Sequence, residues 1–175
     1  MDIETDRTYY GARGFDITNF LTDGLGMPFA NGGQEGDIDT AIYDHIEVLR
    51  GANGLLSFTG NPSATINFVR KRPTADLQGS VGATAGSWNN RRLDGDLSGA
   101  LNASRSVRGR VVLADQQTDS YLDRYSMHKK IAAGMLEADL GPNTLLSAGI
   151  TWQKNSPESP MWGALPLYNS DGTPT

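Results

Sequence analysis

The chain has 175 residues, room for one domain or two small ones, with a formal net charge of -5, 38% hydrophobic residues and no cysteine. The acidic balance excludes a general nucleic-acid binder, which needs a basic face, and the lack of cysteine excludes disulfides, thiolate nucleophiles and thiolate-ligated metals. Met1-Asp2-Ile3-Glu4 is acidic where a signal peptide carries basic residues, and no apolar run is long enough for a transmembrane helix, so membrane residence would require a β-barrel.

In chain order, residues 9–23 (YYGARGFDITNFLTD) read as strand and turn, with Asp23-Gly24 as a turn signal, and residues 26–36 (GMPFANGGQEG) read as a loop. In DIDTAIYDHI, Ile38, Ala41, Ile42 and Ile46 fall at helical spacing with Asp37 or Asp39 available as N-cap, which predicts a short helix with His45 packed on its apolar side. EVLRG and TINFVRKR read as two further strands, so the first 74 residues have α/β character. The basic run Arg70-Lys71-Arg72 reads as a solvated strand end.

After Pro73 the period becomes two. Leu77, Gly79, Val81, Ala83 and Ala85 share one face against Gln78, Ser80 and Thr84; Leu93 and Leu97 alternate with Arg92, Asp94 and Asp96; Val111 and Leu113 oppose Arg110. HKKIAAGMLEADL and NTLLSAGITWQK continue the pattern, the second with Leu146, Ala148, Ile150 and Trp152 on one face. Turns are expected at Asn102-Ala103-Ser104 and Gly141-Pro142-Asn143. Strands of about ten residues suit a bilayer when tilted, and a soluble antiparallel sheet gives similar alternation, so periodicity leaves both open.

Enzyme motifs are missing where they would matter. GANGLLSFTG is followed by Asn61-Pro62 rather than the lysine a phosphate loop needs, and the spacing of a dinucleotide fingerprint is not met. Ser57 and Ser63 have no histidine nearby in sequence, and His45 and His128 form no metal-ligand pair. Asp37-x-Asp39 and Asp94-x-Asp96 begin no calcium loop and read as solvated or inward-facing acids. MPFANGGQEG, GSWNNRR and SPMWGALPLYNSDG set aromatic residues among amides and glycine, a composition that binds ligands by flat apolar contact plus a few hydrogen bonds, or that packs loops and membrane interfaces.

RGFDITNFLTDGL, HIEVLRGANGLL, GNPSATINFVRKRPT and GSWNNRRLDGDLSGAL resemble, in order and spacing, TonB-dependent ferric-siderophore receptors of Gram-negative outer membranes, of the hydroxamate, coprogen or pyoverdine type. The resemblance implies a mainly β fold: residues 1–74 as the C-terminal part of an α/β plug domain, and residues 75–175 as the first antiparallel strands of a transmembrane barrel with the start of an extracellular loop. Such barrels have about twenty-two strands around a plugged lumen, so an incomplete barrel, and hence a fragment, is expected. Phe29, Asn31 and Gln34 match a plug apex, and Trp162 and Tyr168 an aromatic segment of the third loop, so these five are the expected ligand contacts. Arg13 and Arg50 match plug arginines that pair with wall glutamates beyond residue 175. The implied partners are a ferric siderophore, the TonB complex and outer-membrane lipid, with no nucleic acid, no catalysis, and no cofactor beyond iron carried by the ligand. A soluble β-rich carbohydrate-binding or adhesion module is the alternative.

Overall fold

A computed structural model describes residues 5, 7–27, 34–51, 63–161 and 173, with Gln34 and Glu35 described by their backbone alone. Among them the chain is mainly β.

Two hairpins open the described N-terminal region. β2 (Gly11–Ala12) turns into β3 (Phe15–Asp16), and β4 (Asn19–Thr22) into β5 (Leu25–Gly26). Arg13 and Gly14 sit at φ 57° and 79°, and Asp23 and Gly24 at 52° and 80°. Two positive φ values in a two-residue connection match the right-handed twist of the flanking strands, which Asp-Gly suits and which Gly14 makes possible at Arg13. β1 (Arg7–Thr8) pairs with β6 (Gln34–Glu35).

β4 runs parallel to β8 (Ala64–Arg70), which pairs antiparallel with β7 (Tyr43–Arg50), giving the sheet order β5-β4-β8-β7. Its core is Ile17, Phe20, Ala64, Ile66 and Phe68, with Phe20 and Phe68 stacked at 6.5 Å between ring centroids and Tyr43 tilted over Phe68 at 5.1 Å.

The helix expected over residues 37–46 shrinks to one 3₁₀ turn, Thr40–Ile42, and the strand begins at Tyr43. Asp39 is its N-cap, accepting from the Ala41 amide at 2.9 Å. Ile46-Glu47-Val48 also alternate, and the β8 ladder pairs the segment from Tyr43 to Arg50 with one irregularity at Asp44, so pairing overrides helical spacing. His45 therefore stands exposed on a strand, beside Asp44 at 2.8 Å and Glu47 at 3.4 Å, instead of packed on a helix. The α/β character expected for this region reduces, among the described residues, to that single turn.

Five strands form the second sheet: β9 (Gln78–Ala85), β10 (Arg91–Ala100), β11 (Val107–Asp119), β12 (Ser126–Gly141) and β13 (Thr144–Glu158), an antiparallel meander with β9 and β13 at its edges. β12 reaches 16 residues, longer than the expected ten. The register fixes which side chains share a face. On the outer face, one row runs Val81, Gly95, Leu113, Ala132, Trp152, and the next Gly79, Leu97, Val111, Gly134, Ile150. Two further rows add Gly99, Gly109, Leu136, Ala148 and then Val107, Ala138, Leu146, with Leu101 beside Val107. No side chain in these four rows is charged, and Val81 at 89% and Ile150 at 76% are among the most exposed apolar residues. Four rows at about 3.4 Å per residue cover roughly 27 Å of strand, or roughly 21 Å in height at a tilt of about 40°, close to the apolar band of about 25 Å on a transmembrane barrel.

The inner face packs against the N-terminal region. Ile42 inserts among Val112, Ala114, Ile131 and Ala133, which are all buried.

Candidate functional site

The candidate site is the junction where the 36–42 segment and the 70–74 segment meet the inner face of β10–β13. Because alternate residues of each strand point inward, Arg92, Asp96, Ser98, Arg110, Gln116, Lys129, Glu137 and Gln153 are delivered to this side by the same period that sends leucines outward.

Asp39 is its centre. Its carboxylate accepts both terminal nitrogens of Arg92, at 2.7 and 2.9 Å, while also capping the 3₁₀ turn, and Lys129 Nζ lies 3.6 Å away. Arg92 also donates to Gln116 at 2.9 Å, which donates on to Asn90 at 3.1 Å, so the guanidinium is held in plane by the wall. Burial pushes the Asp39 carboxyl up, but the Arg92 and Ala41 hydrogen bonds and the charges of Arg92 and Lys129 outweigh it and hold it below the ordinary aspartate range. The contribution of this carboxylate to stability is present above the unfolded value and is lost as pH falls through the lowered folded one.

A second group lies beyond it. Asp96 takes a bidentate pair from Arg110 at 2.8 and 2.7 Å and a third bond from Lys71 at 2.8 Å; Arg110 also donates to the Arg72 carbonyl at 2.9 Å. Thr74 donates to Ser98 Oγ through its amide at 2.8 Å. The buried Glu137 has Arg108 at 3.7 Å and Arg72 at 3.8 Å, ion-pair distances too long for hydrogen bonds, which leaves its Oε1 without a hydrogen-bond donor. Arg70 donates to Asp23 through its amide at 2.9 Å and its Nε at 2.7 Å. The Arg70-Lys71-Arg72 run is thus a set of ion-paired staples, not a solvated strand end, and Asp39 and Asp96 are inward-facing acids as expected. Among the described residues no group of three or more histidines, cysteines or acids is arranged to hold a metal.

At the upper end, towards residue 161, the Asp37 carbonyl accepts from Gln153 and, at 3.1 Å, from Asn155, while Lys129 pairs with the Asp37 carboxylate. Gly36, at φ 74°, lies so close that a Cβ there would stand 2.8 Å from Asn155 Nδ2. Thr5 donates its amide to the Met161 carbonyl at 3.0 Å and accepts the Met161 amide on Oγ1 at 2.8 Å, and Tyr125 donates to the Thr5 carbonyl at 3.3 Å.

Of the ligand contacts expected from sequence, Phe29, Asn31, Trp162 and Tyr168 lie outside the described residues. Gln34 is placed on β6 opposite Thr8. Arg13 occupies the β2–β3 turn and its guanidinium comes within 3.8 Å of where a Gly51 Cβ would stand, next to Arg50 at the end of β7. Among the described residues neither arginine has an acidic partner. Sequence reasoning did not single out Arg92, Lys129, Gln153, Asn155 or the Thr5–Met161 pair. The signal present was inward position on an alternating strand; partner identity needs the register.

No family model matches the chain. Over 173 residues, 97% of the chain, it is 45% identical to the ferripyoverdine receptor of Pseudomonas aeruginosa, and over 167 residues, 95% of the chain, 40% identical to the ferric-pyoverdine BN7/BN8 receptor of Pseudomonas putida. It superposes with a TM-score of 0.82 and 40% identity on the pyoverdine outer membrane receptor FpvA of P. aeruginosa bound to pyoverdine, covering 98% of this chain and 26% of that one. Sequence and fold together place the chain among the TonB-dependent siderophore receptors of Gram-negative outer membranes. The particular members it matches here are pyoverdine receptors, which are transport receptors and not enzymes. The chain spans about a fifth of the length of these curated relatives (21% and 20%).

Proposed function

We propose that the chain works as part of a longer outer-membrane receptor that binds a ferric siderophore outside the cell and imports it with TonB-coupled energy. In this reading residues 1–74 are the C-terminal part of the plug and residues 75–175 the first strands of the barrel, with the start of an extracellular loop. Phe29, Asn31, Gln34, Trp162 and Tyr168 contact the ligand, and iron arrives inside the siderophore, so the protein holds no cofactor of its own. Arg13 and Arg50 pair with acids elsewhere on the wall. The relatives' names make ferric pyoverdine the first ligand to try.

The observation that carries the reading is the meeting of two flanks. Gly36, just after the 28–33 segment, lies on Asn155, and Met161, just before the 162–172 segment, is bonded to Thr5. Gly36 and Met161, which flank the two segments selected by composition, therefore lie at the same end of the same junction. Four uncharged outer rows also weigh against a soluble carbohydrate-binding module, whose sheet would cover such a face.

The test is ferric-pyoverdine affinity of the full-length receptor carrying Trp162→Ala or Phe29→Ala. Loss of one flat aromatic contact is expected to weaken binding by about tenfold, on the order of 1–2 kcal/mol. Unchanged affinity for both variants would remove these residues from the site.

A further inference from the structure

GSWNNRR, set apart in the sequence by its composition, forms the connection between β9 and β10, and nothing described so far uses its tryptophan. Residues 87–90 make a tight turn in which the Asn90 amide donates to the Ser87 carbonyl at 3.2 Å, with Trp88 and Asn89 both left-handed at φ 56° and 53°. Asparagine tolerates that region. A bulky indole there is an outlier, and such strain persists only where neighbours hold it. Two neighbours do. The Trp88 carbonyl accepts the amide of Asp119, the last residue of β11, at 2.8 Å, and the Trp88 ring meets the Tyr121 ring edge-on, with centroids 6.5 Å apart at 67°. A turn that served only to reverse the chain would carry a residue that the left-handed backbone accepts. Trp88 instead grips the start of the next connection, residues 120–125.

That connection is bonded within itself: the Leu122 amide donates to Ser120 Oγ at 3.2 Å and the Tyr125 amide to the Leu122 carbonyl at 3.3 Å. Tyr121 and Tyr125 are therefore two handles on one short braced loop. At the second handle the Tyr125 hydroxyl donates to the Thr5 carbonyl at 3.3 Å, and Thr5 in turn holds Met161, directly before Trp162, through its backbone and Oγ1. Resting on the proposed function, in which Trp162 contacts the siderophore, we infer that Trp88 is a positioning residue for ligand binding. It fixes the 120–125 connection so that Tyr125 keeps Thr5, and through it Met161, in place beside the ligand segment. Trp88 acts at a distance, because the sheet order β13-β12-β11-β10-β9 puts the β11–β12 connection between its own turn and the end of β13. Each link joins neutral groups and is weak alone. What the path supplies is pre-organisation, which a ligand would otherwise have to impose on binding.

The experiment measures ferric-pyoverdine affinity, dissociation rate and Tm on the full-length receptor carrying these residues. Trp88→Asn removes the ring and introduces a residue that suits the left-handed turn. Tm is expected to stay level or rise while binding weakens by about threefold through faster dissociation, a combination that a misfolded variant cannot produce. Trp88→Phe keeps a ring against Tyr121 and is expected to keep most of the affinity. Tyr125→Phe cuts the path further along, so adding Trp88→Asn to it is expected to change binding no further. Wild-type affinity for Trp88→Asn would overturn the inference. So would a loss that repeats in full on the Tyr125→Phe background, which would make Trp88 act on the ligand independently of Tyr125. A loss of affinity that tracks a fall in Tm would overturn it too, leaving Trp88 a plain structural residue. Trp162→Ala, measured on the same preparations, tells the two failures apart. Weaker binding by Trp162→Ala beside wild-type binding by Trp88→Asn defeats only this inference, whereas wild-type binding by Trp162→Ala defeats the proposed ligand contact as well.

Discussion

The two faces of the five-stranded sheet are built by the same strands and do opposite jobs. Outward, four successive rows carry only glycine, alanine, aliphatic residues and one tryptophan. Inward, the residues one step along each strand include Arg92, Asp96, Arg110, Lys129 and Glu137, nearly all in ion pairs with each other or with the N-terminal region. An uncharged face needs no partner geometry, because apolar burial is non-directional and any hydrocarbon satisfies it. A charged, buried face needs a particular partner at a particular height, since an unpaired ion there is costly. In the proposed barrel wall the outer face therefore sets depth, and the inner face sets register against the N-terminal region.

The sharpest way to break that division is at Asp39–Arg92. Truncating Arg92 to alanine takes two hydrogen bonds from a carboxylate that is itself almost wholly buried and leaves it Lys129 at 3.6 Å and the Ala41 amide; breaking a buried pair in this way costs about 3–5 kcal/mol. Thermal unfolding of the full-length receptor carrying Arg92→Ala should show the loss, and Asp39→Ala/Arg92→Ala should recover much of it, because no lone charge remains. If the double variant is as unstable as the sum of the singles, the pair is not coupled and the inner face is not specified by it. Acid should act in the same place. With the Asp39 carboxyl held below its ordinary range, its share of stability is retained at pH 5 and falls away only as the pH drops below that range.

The outer face should answer to depth alone. Ile150→Arg places a guanidinium within the apolar rows, where a charge costs about 2–4 kcal/mol, while Ser156→Arg, on the same face of the same strand but beyond Trp152 and Lys154, should cost about 0–1 kcal/mol. Unfolding titrations of the receptor in lipid vesicles compare the two. Equal costs would mean that the apolar rows do not lie in hydrocarbon.

How much of this was legible in sequence follows the same split. Leu146, Ala148, Ile150 and Trp152 could be assigned to one face from their spacing alone, because a strand's side chains alternate whatever it pairs with. The turns at 103–104 and 142–143 came with it. The helix drawn over residues 37–46 failed because Ile38, Ala41, Ile42 and Ile46 fit a helical period while 43–50 also fit a strand, and only the distant β8 decides between them. His45 went wrong with it. The inner-face ion pairs were hidden for a related reason. Asp39 and Arg92 are 53 residues apart and Lys129 and Asp37 are 92, so no local pattern joins them. The basic run at 70–72 reads as solvated from sequence because its acids, Asp23, Asp96 and Glu137, lie in a distant turn and on other strands.

The smallest effect should come where the two faces matter least, at the clasp between Thr5, Tyr125 and Met161. These bonds link neutral groups near the end of the junction, so each is worth only about 0.5–1.5 kcal/mol. Thr5→Val removes Oγ1, which accepts the Met161 amide and donates to the Met161 carbonyl at 3.2 Å, while keeping the shape and the backbone bond to that carbonyl; Tyr125→Phe removes the donor to the Thr5 carbonyl. Global stability should barely move, because Asp39–Arg92 and the Ile42 cluster hold the junction further in. Siderophore affinity should fall by about threefold to tenfold all the same, since Met161 directly precedes the proposed contact Trp162 and freeing it adds conformational entropy that ligand binding must then remove. A drop in Tm with unchanged affinity would make the clasp a plain structural contact. A drop in affinity at constant Tm would extend the inner face's role from fixing register to positioning the ligand segment.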